Sequence, residues 1–285
     1  MSGSLAVIQA ERFAVYTNPN YTGGKPKNRT EPKISKNHDL TRKESHNGTV
    51  EPIRDEKDVN RVVDYFYKKG MYREWCMFMV GINCGLRVSD LIRLRVEDFA
   101  VPRPDGTWQV RSIGSFFKLM PKKTEHERKY VEVQITRNIC KTLQIYLDKV
   151  GGHNGKYQKY FESRGWLFPS ERGSIITSKR TAINQKFPGD PIDEDTFGKT
   201  MRKCGRDLNL GYPIGTHSLR KTYGYRMFRQ YQSNGEGESA LIQLQQIFNH
   251  SRPSITMKYI GISSDIRRNM VAEYDCGVDV DKYGK

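Results

Sequence analysis

The sequence of 285 residues has few acidic residues and few cysteines, and it has no long apolar run. No uncharged apolar stretch reaches the roughly 18 residues that a membrane-spanning helix needs, and the first residues lack the basic and apolar regions of a signal peptide. The five cysteines include no C-x-x-C pair. Their odd number and wide spacing predict neither a zinc site nor a disulfide framework, so we expect a cytoplasmic protein without membrane contact.

Basic residues are abundant. Lys and Arg total 48 against 32 Asp and Glu, which gives a formal net charge of +16. Between positions 201 and 229 there are seven Lys or Arg residues, and Asp207 is the one acidic residue. A basic face binds a phosphate backbone by releasing its counterions, so the charge predicts a nucleic-acid partner. A generally basic, well-hydrated surface is the alternative interpretation.

The first 49 residues differ in composition from the rest. They are rich in turn-forming and basic residues and, apart from a candidate strand over 5–15, have no periodic apolar pattern. We interpret residues 1–49 as a basic flexible arm, which either follows phosphate groups or keeps the protein in solution. Residues 50–275 are expected to form one folded domain, and residues 276–285 a C-terminal tail.

The apolar spacing within the folded domain is mostly helical. A first helix is expected from an N-cap at Asp55 to Gly70, a second ends at Gly85, and Ser89 is the expected cap of a third. Aromatic and β-branched residues over 108–120 and 129–135 predict the strands of a small antiparallel sheet. Residues 151–159 are expected to form a glycine-rich loop. Further helices are expected at 136–150, 196–208, 216–231, 238–248 and 264–274. Because strands and helices do not alternate regularly, we predict an α+β fold, mostly helical, with the small sheet on one side.

Two segments place basic side chains where an anion could bind. His217 and Arg220 lie three residues apart on one face of an expected helix, which Thr216 could cap. Arg87 follows Gly85-Leu86 just inside an apolar segment, so its charge must be paired or must reach a ligand, and Asp90 could orient it. A surface histidine and a buried ion pair are the plain structural alternatives.

Two further residues complete the pattern. His250 follows the helix predicted at 238–248, and Tyr259 follows nine residues later in Lys258-Tyr259-Ile260-Gly261. A helix-capping histidine and a core tyrosine are the structural alternatives. Taken in order, the set from Arg87 to Tyr259 resembles the catalytic residues of the tyrosine recombinases, the phage integrase family, over residues 50–264. The resemblance implies the catalytic-domain fold of that family.

The resemblance assigns a role to each residue. Tyr259 would be the nucleophile that forms a 3′-phosphotyrosyl link to DNA, and Arg87 and Arg220 would hold the scissile phosphate. His217 would be the general acid and base toward the tyrosine or the attacking hydroxyl. His250 would donate a hydrogen bond to a non-bridging phosphate oxygen.

The remaining assignments concern a lysine and the surroundings of the site. Lys123 matches the lysine of the family's β-hairpin, which protonates the leaving 5′-oxygen, and Lys122 is the alternative. Asp90 would support the arginines from behind. The resemblance implies no metal and no nucleotide cofactor, because the arginines, the lysine and the histidines supply the positive charge.

The sequence departs from the family pattern in three places. Phe248-Asn249-His250 replaces the usual Leu-Gly-His, residues 232–237 resemble a loop insertion, and residues 1–49 are too poor in apolar positions for the helical domain that often precedes the catalytic one. We therefore expect a short-form member that acts on double-stranded DNA as a homotetramer and belongs to a mobile genetic element. A topoisomerase IB-like strand relaxer and a catalytically silent DNA-binding protein are the alternatives.

Overall fold

The computed structural model describes residues 50–122, 130–177 and 183–274. The expectations for the arm at 1–49, for Lys123 and for the tail at 276–285 lie outside the described residues. The described residues form eleven helices: α1 (Glu56–Lys68), α2 (Tyr72–Cys84), α3 (Val88–Leu91), α4 (Val96–Phe99), α5 (Arg137–Val150), α6 (Gln158–Arg164), α7 (Glu194–Asp207), α8 (Thr216–Ser233), α9 (Gly237–Phe248), α10 (Pro253–Ile260) and α11 (Ile262–Ala272). They also form six strands: β1 (Ala100–Pro102), β2 (Trp108–Val110), β3 (Phe116–Leu119), β4 (Val131–Gln134), β5 (Ser174–Thr177) and β6 (Ile183–Lys186).

Local signals placed several helix ends correctly. The Asp55 carboxylate accepts a hydrogen bond from the Lys57 backbone N–H at 2.8 Å and caps α1. The Thr136 hydroxyl accepts one from the Ile139 N–H at 3.3 Å and caps α5. Gly85 ends α2 with a φ of 63°, a left-handed conformation that glycine adopts without strain. The mostly helical α+β prediction is confirmed.

The expectation of one small sheet was wrong in detail. The strands form three separate antiparallel pairs, in which β1 pairs with β2, β3 with β4, and β5 with β6. The segment 108–120 is divided between β2 and β3 because the chain turns between them: the Ser115 N–H donates to the Ser112 carbonyl, and Gly114 has a φ of 92°. The strand pair β3–β4 forms the hairpin that the sequence indicated.

The two predicted side-chain caps in the site region were also wrong. Arg87, in extended conformation, precedes α3, so Ser89 lies within that helix. Gly215 precedes α8, so Thr216 is its first residue. A Cβ atom at Gly215 would lie 3.0 Å from the Val50 side chain, so the close approach of that segment favours glycine at the start of the helix.

The boundaries of three other segments differ from the expectation. Within residues 232–237 the connection between helices is short, because α8 continues through Ser233 and α9 begins at Gly237. Helix α6 occupies the end of the segment interpreted as a glycine-rich loop. Helix α10, which carries Tyr259, was not predicted, although its first residue is Pro253, a residue that favours helix starts.

Buried apolar side chains form two clusters within the described residues. The main core extends from Ile53 to Leu219 and includes the inner faces of α1, α2, α5 and α7. A second cluster lies beneath the C-terminal helices and consists of Phe228, Leu244, Phe248, Ile260 and Ile262. None of the helices in the described part of the chain is long and apolar enough to cross a membrane.

Candidate active site

Backbone carbonyl groups orient the two arginines. Arg220 in α8 is buried, and its guanidinium donates through Nη1 to the Gly85 carbonyl and through Nη2 to the Ile247 carbonyl. Arg87 donates through Nη2 to the Phe248 carbonyl at 3.4 Å. The carbonyl of Gly85, just after α2, and two carbonyls at the end of α9 thus orient both cations. Two oriented guanidinium groups are suited to a phosphodiester.

Arg220 remains a cation in this environment. Burial lowers its pKa to about 10, and the positive charge of Arg87 acts in the same direction. The guanidinium also lies over the Phe248 ring, 4.2 Å from the ring centroid, which partly replaces lost hydration by a cation–π contact. At neutral pH the site therefore holds two positive charges that an anion would neutralise.

The turn before His250 keeps the geometry that a glycine would provide. Asn249 follows α9 with φ and ψ of 51°, in the left-handed region, and the His250 N–H donates to the Gln245 carbonyl at 3.0 Å. Asparagine is the residue other than glycine that most readily adopts this conformation. The replacement of Leu-Gly-His by Phe-Asn-His therefore leaves a normal helix end.

His217 and Tyr259 meet across the site. His217 lies in the first turn of α8, and its Nδ1 atom is 3.4 Å from the Tyr259 hydroxyl oxygen. Tyr259 lies near the end of α10, whose left-handed C-cap is Gly261. This pair joins a possible proton acceptor to a possible nucleophile, the arrangement that an activated hydroxyl requires.

The pKa shifts of the pair decide the protonation state of each group at neutral pH. Burial lowers the pKa of His217, and the nearby charges of Lys221 and Arg220 lower it further. Burial raises the pKa of Tyr259, while Arg220 and Arg87 oppose that shift. At neutral pH the imidazole is therefore neutral and the phenol is protonated. The tyrosine needs a base, and the neighbouring histidine is in the form that can act as one.

An aromatic residue that the sequence analysis did not single out lies at the centre of the site. The Phe248 ring is 5.5 Å from the His250 ring and 5.5 Å from the Tyr259 ring, in edge-to-face contacts. Helix α8 approaches it closely at Gly224, where a Cβ atom would lie 2.8 Å from the Phe248 ring. Phe248 thus sets the separation of the second histidine, the tyrosine and Arg220.

An open cavity of about 390 Å³ lies beside Tyr259. Lys221 is buried, and its ammonium group donates to the Val50 carbonyl at 2.8 Å and lies 5.3 Å from the Tyr259 ring centroid. The cavity is lined by Val50, Arg202, Gly215, Thr216, His217, Lys221 and Tyr259. Its lining includes two basic side chains, Arg202 and Lys221.

The acidic residue of the predicted set connects to the hairpin. Asp90 is buried, and its carboxylate accepts a hydrogen bond from the Lys122 backbone N–H at 2.9 Å. It therefore ties the α3 segment to the foot of the loop between β3 and β4. Lys122 is exposed, and Lys123 lies outside the described residues. The choice between the two lysines stays a prediction.

The structure brings Arg87, His217, Arg220, His250 and Tyr259 to one site. Sequence reasoning missed Phe248, Lys221 and Thr256, which contact these residues directly. Thr256 lies three residues before Tyr259, a spacing that would have placed it on the same face of a helix had α10 been recognised. In the described part of the chain, no group of three His, Cys, Asp or Glu side chains could hold a metal ion.

A tyrosine beside a histidine, two oriented arginines and a second histidine are the residue set that the resemblance to the tyrosine recombinases predicts, and α8, α10 and the segments before α3 and after α9 bring them together. The phage integrase family profile matches residues 54–264. The chain belongs to the phage integrase family, the tyrosine-type site-specific DNA recombinases, which confirms the resemblance seen in the sequence.

A relative found by sequence agrees with this assignment. The chain is 31% identical over 219 residues to the probable integrase/recombinase YoeC of Bacillus subtilis strain 168, covering 77% of this chain and 93% of that protein. XerA recombinase superposes with a TM-score of 0.47 at 18% identity, covering 80% of this chain and 67% of its own. XerH bound to difH gives a TM-score of 0.48 at 15% identity and covers 80% of this chain and 54% of its own.

Proposed function

We propose that this recombinase cuts and rejoins double-stranded DNA through Tyr259. The phenolic oxygen attacks the scissile phosphorus, and the bond between phosphorus and the 5′-oxygen breaks. The phenolic proton passes to His217, and the leaving 5′-oxygen takes a proton from the hairpin lysine. A 3′-phosphotyrosyl link results, and attack by a 5′-hydroxyl group reverses the same steps. The observation that carries this proposal is the 3.4 Å contact between His217 Nδ1 and the Tyr259 oxygen.

The other side chains have complementary roles. Arg87 and Arg220 bind the non-bridging phosphate oxygens and stabilise the charge that grows on them in the transition state. His250 donates a further hydrogen bond to the same phosphate. Asp90 supports the arginine segment and the hairpin from behind. The residues supply general acid–base and electrostatic catalysis, each of which contributes roughly 10²–10⁴-fold.

A covalent-trapping experiment tests the nucleophile. A nicked duplex that releases a short strand after cleavage is incubated with the protein, and the products are separated on a denaturing gel; candidate attachment sequences flanking the gene serve as substrates. Wild type should form an adduct, and Tyr259→Phe should form none while binding DNA within a few-fold of wild type.

Tyr223→Phe is the matched control, because Tyr223 lies in the same region at 6.4 Å from the Phe248 ring centroid. It should form the adduct. An adduct with Tyr259→Phe would contradict the proposal and direct attention to Tyr223, Tyr225 or Tyr274. The absence of an adduct with wild type on every substrate would favour a catalytically silent DNA-binding protein.

DNA binding follows from charge as well as from the site. The net charge is +16. The exposed basic side chains of Lys199, Arg202 and Arg206 lie along α7, next to the cavity, and form a face that can contact several phosphates. The logarithm of the binding constant should fall with the logarithm of salt concentration by about 0.9 per phosphate contacted. A flat response would contradict the proposal. Deleting residues 1–45 should weaken binding if the arm follows phosphates.

The hairpin acid is tested with a modified substrate. Lys123→Ala should slow cleavage of ordinary DNA strongly, and much less when sulfur replaces the leaving 5′-oxygen, because a thiolate leaves without a proton. A defect in phosphate binding would persist on both substrates. If sulfur rescues Lys122→Ala instead, Lys122 is the acid. If it rescues neither variant, the acid lies outside this hairpin.

A homotetramer on synapsed DNA is part of this proposal. Helix α11 exposes Ile266, Met270 and Val271, an apolar face suited to contact with a second copy. The first turn of α11 is held in place, because Asp265 accepts hydrogen bonds from Arg54 and Arg229. Sedimentation should show a tetramer with paired substrates, and Met270→Asp should reduce it to monomers on DNA. A tetramer unaffected by this change would exclude α11 as the contact.

A further inference from the structure

A buried hydroxyl group contacts the second histidine. The Oγ1 atom of Thr256 lies 3.0 Å from Nδ1 of His250, and Thr256 is fully buried. Thr256 belongs to α10, whereas His250 belongs to the turn that precedes it. The contact therefore crosses from the helix that carries the nucleophile to the residue assigned to the phosphate.

The position of the imidazole ring is fixed on other sides by aromatic contacts. The His250 ring lies 5.5 Å from the Phe248 ring and 5.2 Å from the Tyr259 ring, both in edge-to-face geometry. These contacts restrict the rotation of the ring, but they do not decide which nitrogen carries the proton. A hydrogen bond at one nitrogen makes that decision.

A hydroxyl group can donate or accept, so its role depends on the rest of the site. If His250 is to donate a hydrogen bond to a phosphate oxygen, the neutral ring must carry its proton on Nε2. A proton on Nδ1 would instead leave a lone pair on Nε2, which repels a phosphate oxygen. The functional tautomer therefore requires Thr256 to act as the donor to Nδ1.

We propose that Thr256 is a positioning residue that donates its hydroxyl proton to Nδ1 of His250 and holds the neutral imidazole as the Nε2–H tautomer. The role of that tautomer in catalysis rests on the proposed function, but the tautomer itself is a property of the protein without DNA. Because Thr256 and Tyr259 lie on one face of α10, the same helix sets the phosphate donor and the nucleophile together.

The test compares Thr256→Val with Thr256→Ser. Valine keeps the shape of threonine and removes the hydroxyl group, whereas serine keeps the hydroxyl. Residues that orient a histidine from behind are typically worth roughly 10–100-fold in activity. We expect Thr256→Val to slow covalent cleavage by about that factor and Thr256→Ser to restore most of the rate.

The deciding readout is the ¹⁵N NMR spectrum of the His250 ring in DNA-free protein, recorded above its pKa. Wild type and Thr256→Ser should show the Nε2–H tautomer, and Thr256→Val should populate the Nδ1–H form. Thr222→Val is the matched control, since Thr222 is an equally buried threonine whose Oγ1 accepts from the Ile53 N–H at 2.8 Å. It should leave the His250 tautomer unchanged.

Two results would overturn the proposal: an Nδ1–H tautomer in wild type, or an unchanged tautomer in Thr256→Val. The wild-type spectrum decides the first even if the valine variant fails to fold. The spectra do not depend on cleavage, so failure of the proposed nucleophile leaves this test intact. Conversely, normal cleavage by Tyr259 together with an Nδ1–H tautomer of His250 would reject the proposed role of Thr256 and leave the role of Tyr259 intact.

Discussion

The two apolar clusters differ in how much of the protein supports them. The main core reaches from Ile53 to Leu219 across α1, α2, α5 and α7. The second cluster packs against Tyr259. Within the described residues, its buried members are Phe228, Leu244, Phe248, Ile260 and Ile262. Local stability follows the amount of buried apolar contact, so α10 should open more easily than α2. Tyr259, the proposed nucleophile, thus lies on the less stable side.

The arginines join the two regions. Arg220 donates to Gly85, at the end of a main-core helix, and to Ile247, at the end of a helix of the second cluster. Arg87 contacts the second cluster through the Phe248 carbonyl. The two arginines therefore also hold the region that carries Tyr259 against the main core. With the roles proposed above, we expect the binding of DNA and the alignment of Tyr259 to be coupled at this boundary.

Removing the arginines that join the two regions should have the largest effect on the cleavage rate. Arg220→Ala should lower the cleavage rate by roughly 10²–10³-fold or more. It should also destabilise the fold by about 1–3 kcal/mol, because one buried and one partly buried carbonyl lose their donor. Arg87→Ala should lower cleavage by a similar factor with little loss of stability, because Arg87 is half-buried and makes one long hydrogen bond. Cleavage assays and urea denaturation measure the two effects. Equal stability losses in both variants would contradict the coupling.

A matched pair of core substitutions separates the two clusters. Phe248→Leu and Phe168→Leu both change a fully buried phenylalanine, one in each cluster. Each should cost about 1–1.5 kcal/mol, but only Phe248→Leu should slow cleavage, since its ring contacts Arg220, His250 and Tyr259. Hydrogen exchange should show faster opening of α9 and α10 in that variant alone. Equal losses of cleavage in the two variants would remove the distinction between the clusters.

The pH dependence of cleavage should report the charge beside the base. His217 must be neutral to accept a proton, so the rate falls when the pH drops through its pKa. Because Lys221 helps to lower that pKa, Lys221→Met should raise it and move the acid limb of the pH–rate profile to higher pH. Lys199→Met, an exposed lysine on α7, is the control and should leave the limb unchanged. If the acid limb of Lys221→Met lies at the same pH as that of wild type, His217 is excluded as the titrating base.

The smallest effect is expected at the turn before His250. Asn249→Gly should be nearly neutral, because glycine adopts a φ of 51° without strain. Asn249→Ala should cost about 1 kcal/mol, because its Cβ is strained in the left-handed region. Thermal denaturation measures the difference. Equal melting temperatures for the two variants would mean that the turn does not constrain His250.

Much of the fold could be predicted because its signals are local. The apolar stripe, the Asp55 cap and Gly70 predict the bounds of α1, and Gly85 predicts the end of α2. The order from Arg87 to Tyr259 was enough to identify the family, since each residue type is required by the chemistry.

The errors arose where distant contacts override local signals. The residues at 108–120 favour strand throughout, and the turn at Gly114 divides them because each half pairs with a different partner strand. Gly215 rather than Thr216 precedes α8 because Val50 packs against it. The central place of Phe248 follows from the packing of α8 against α9 and α10, and no spacing in the sequence shows it.

The most direct test of the proposed mechanism is to identify the residue that becomes attached to DNA. The trapped covalent complex is digested with protease and nuclease, and the peptide that retains a nucleotide is sequenced by mass spectrometry. We predict a nucleotide on the oxygen of Tyr259, in the peptide that spans α10. A nucleotide on Tyr223, Tyr225, Tyr274 or any other residue would contradict it.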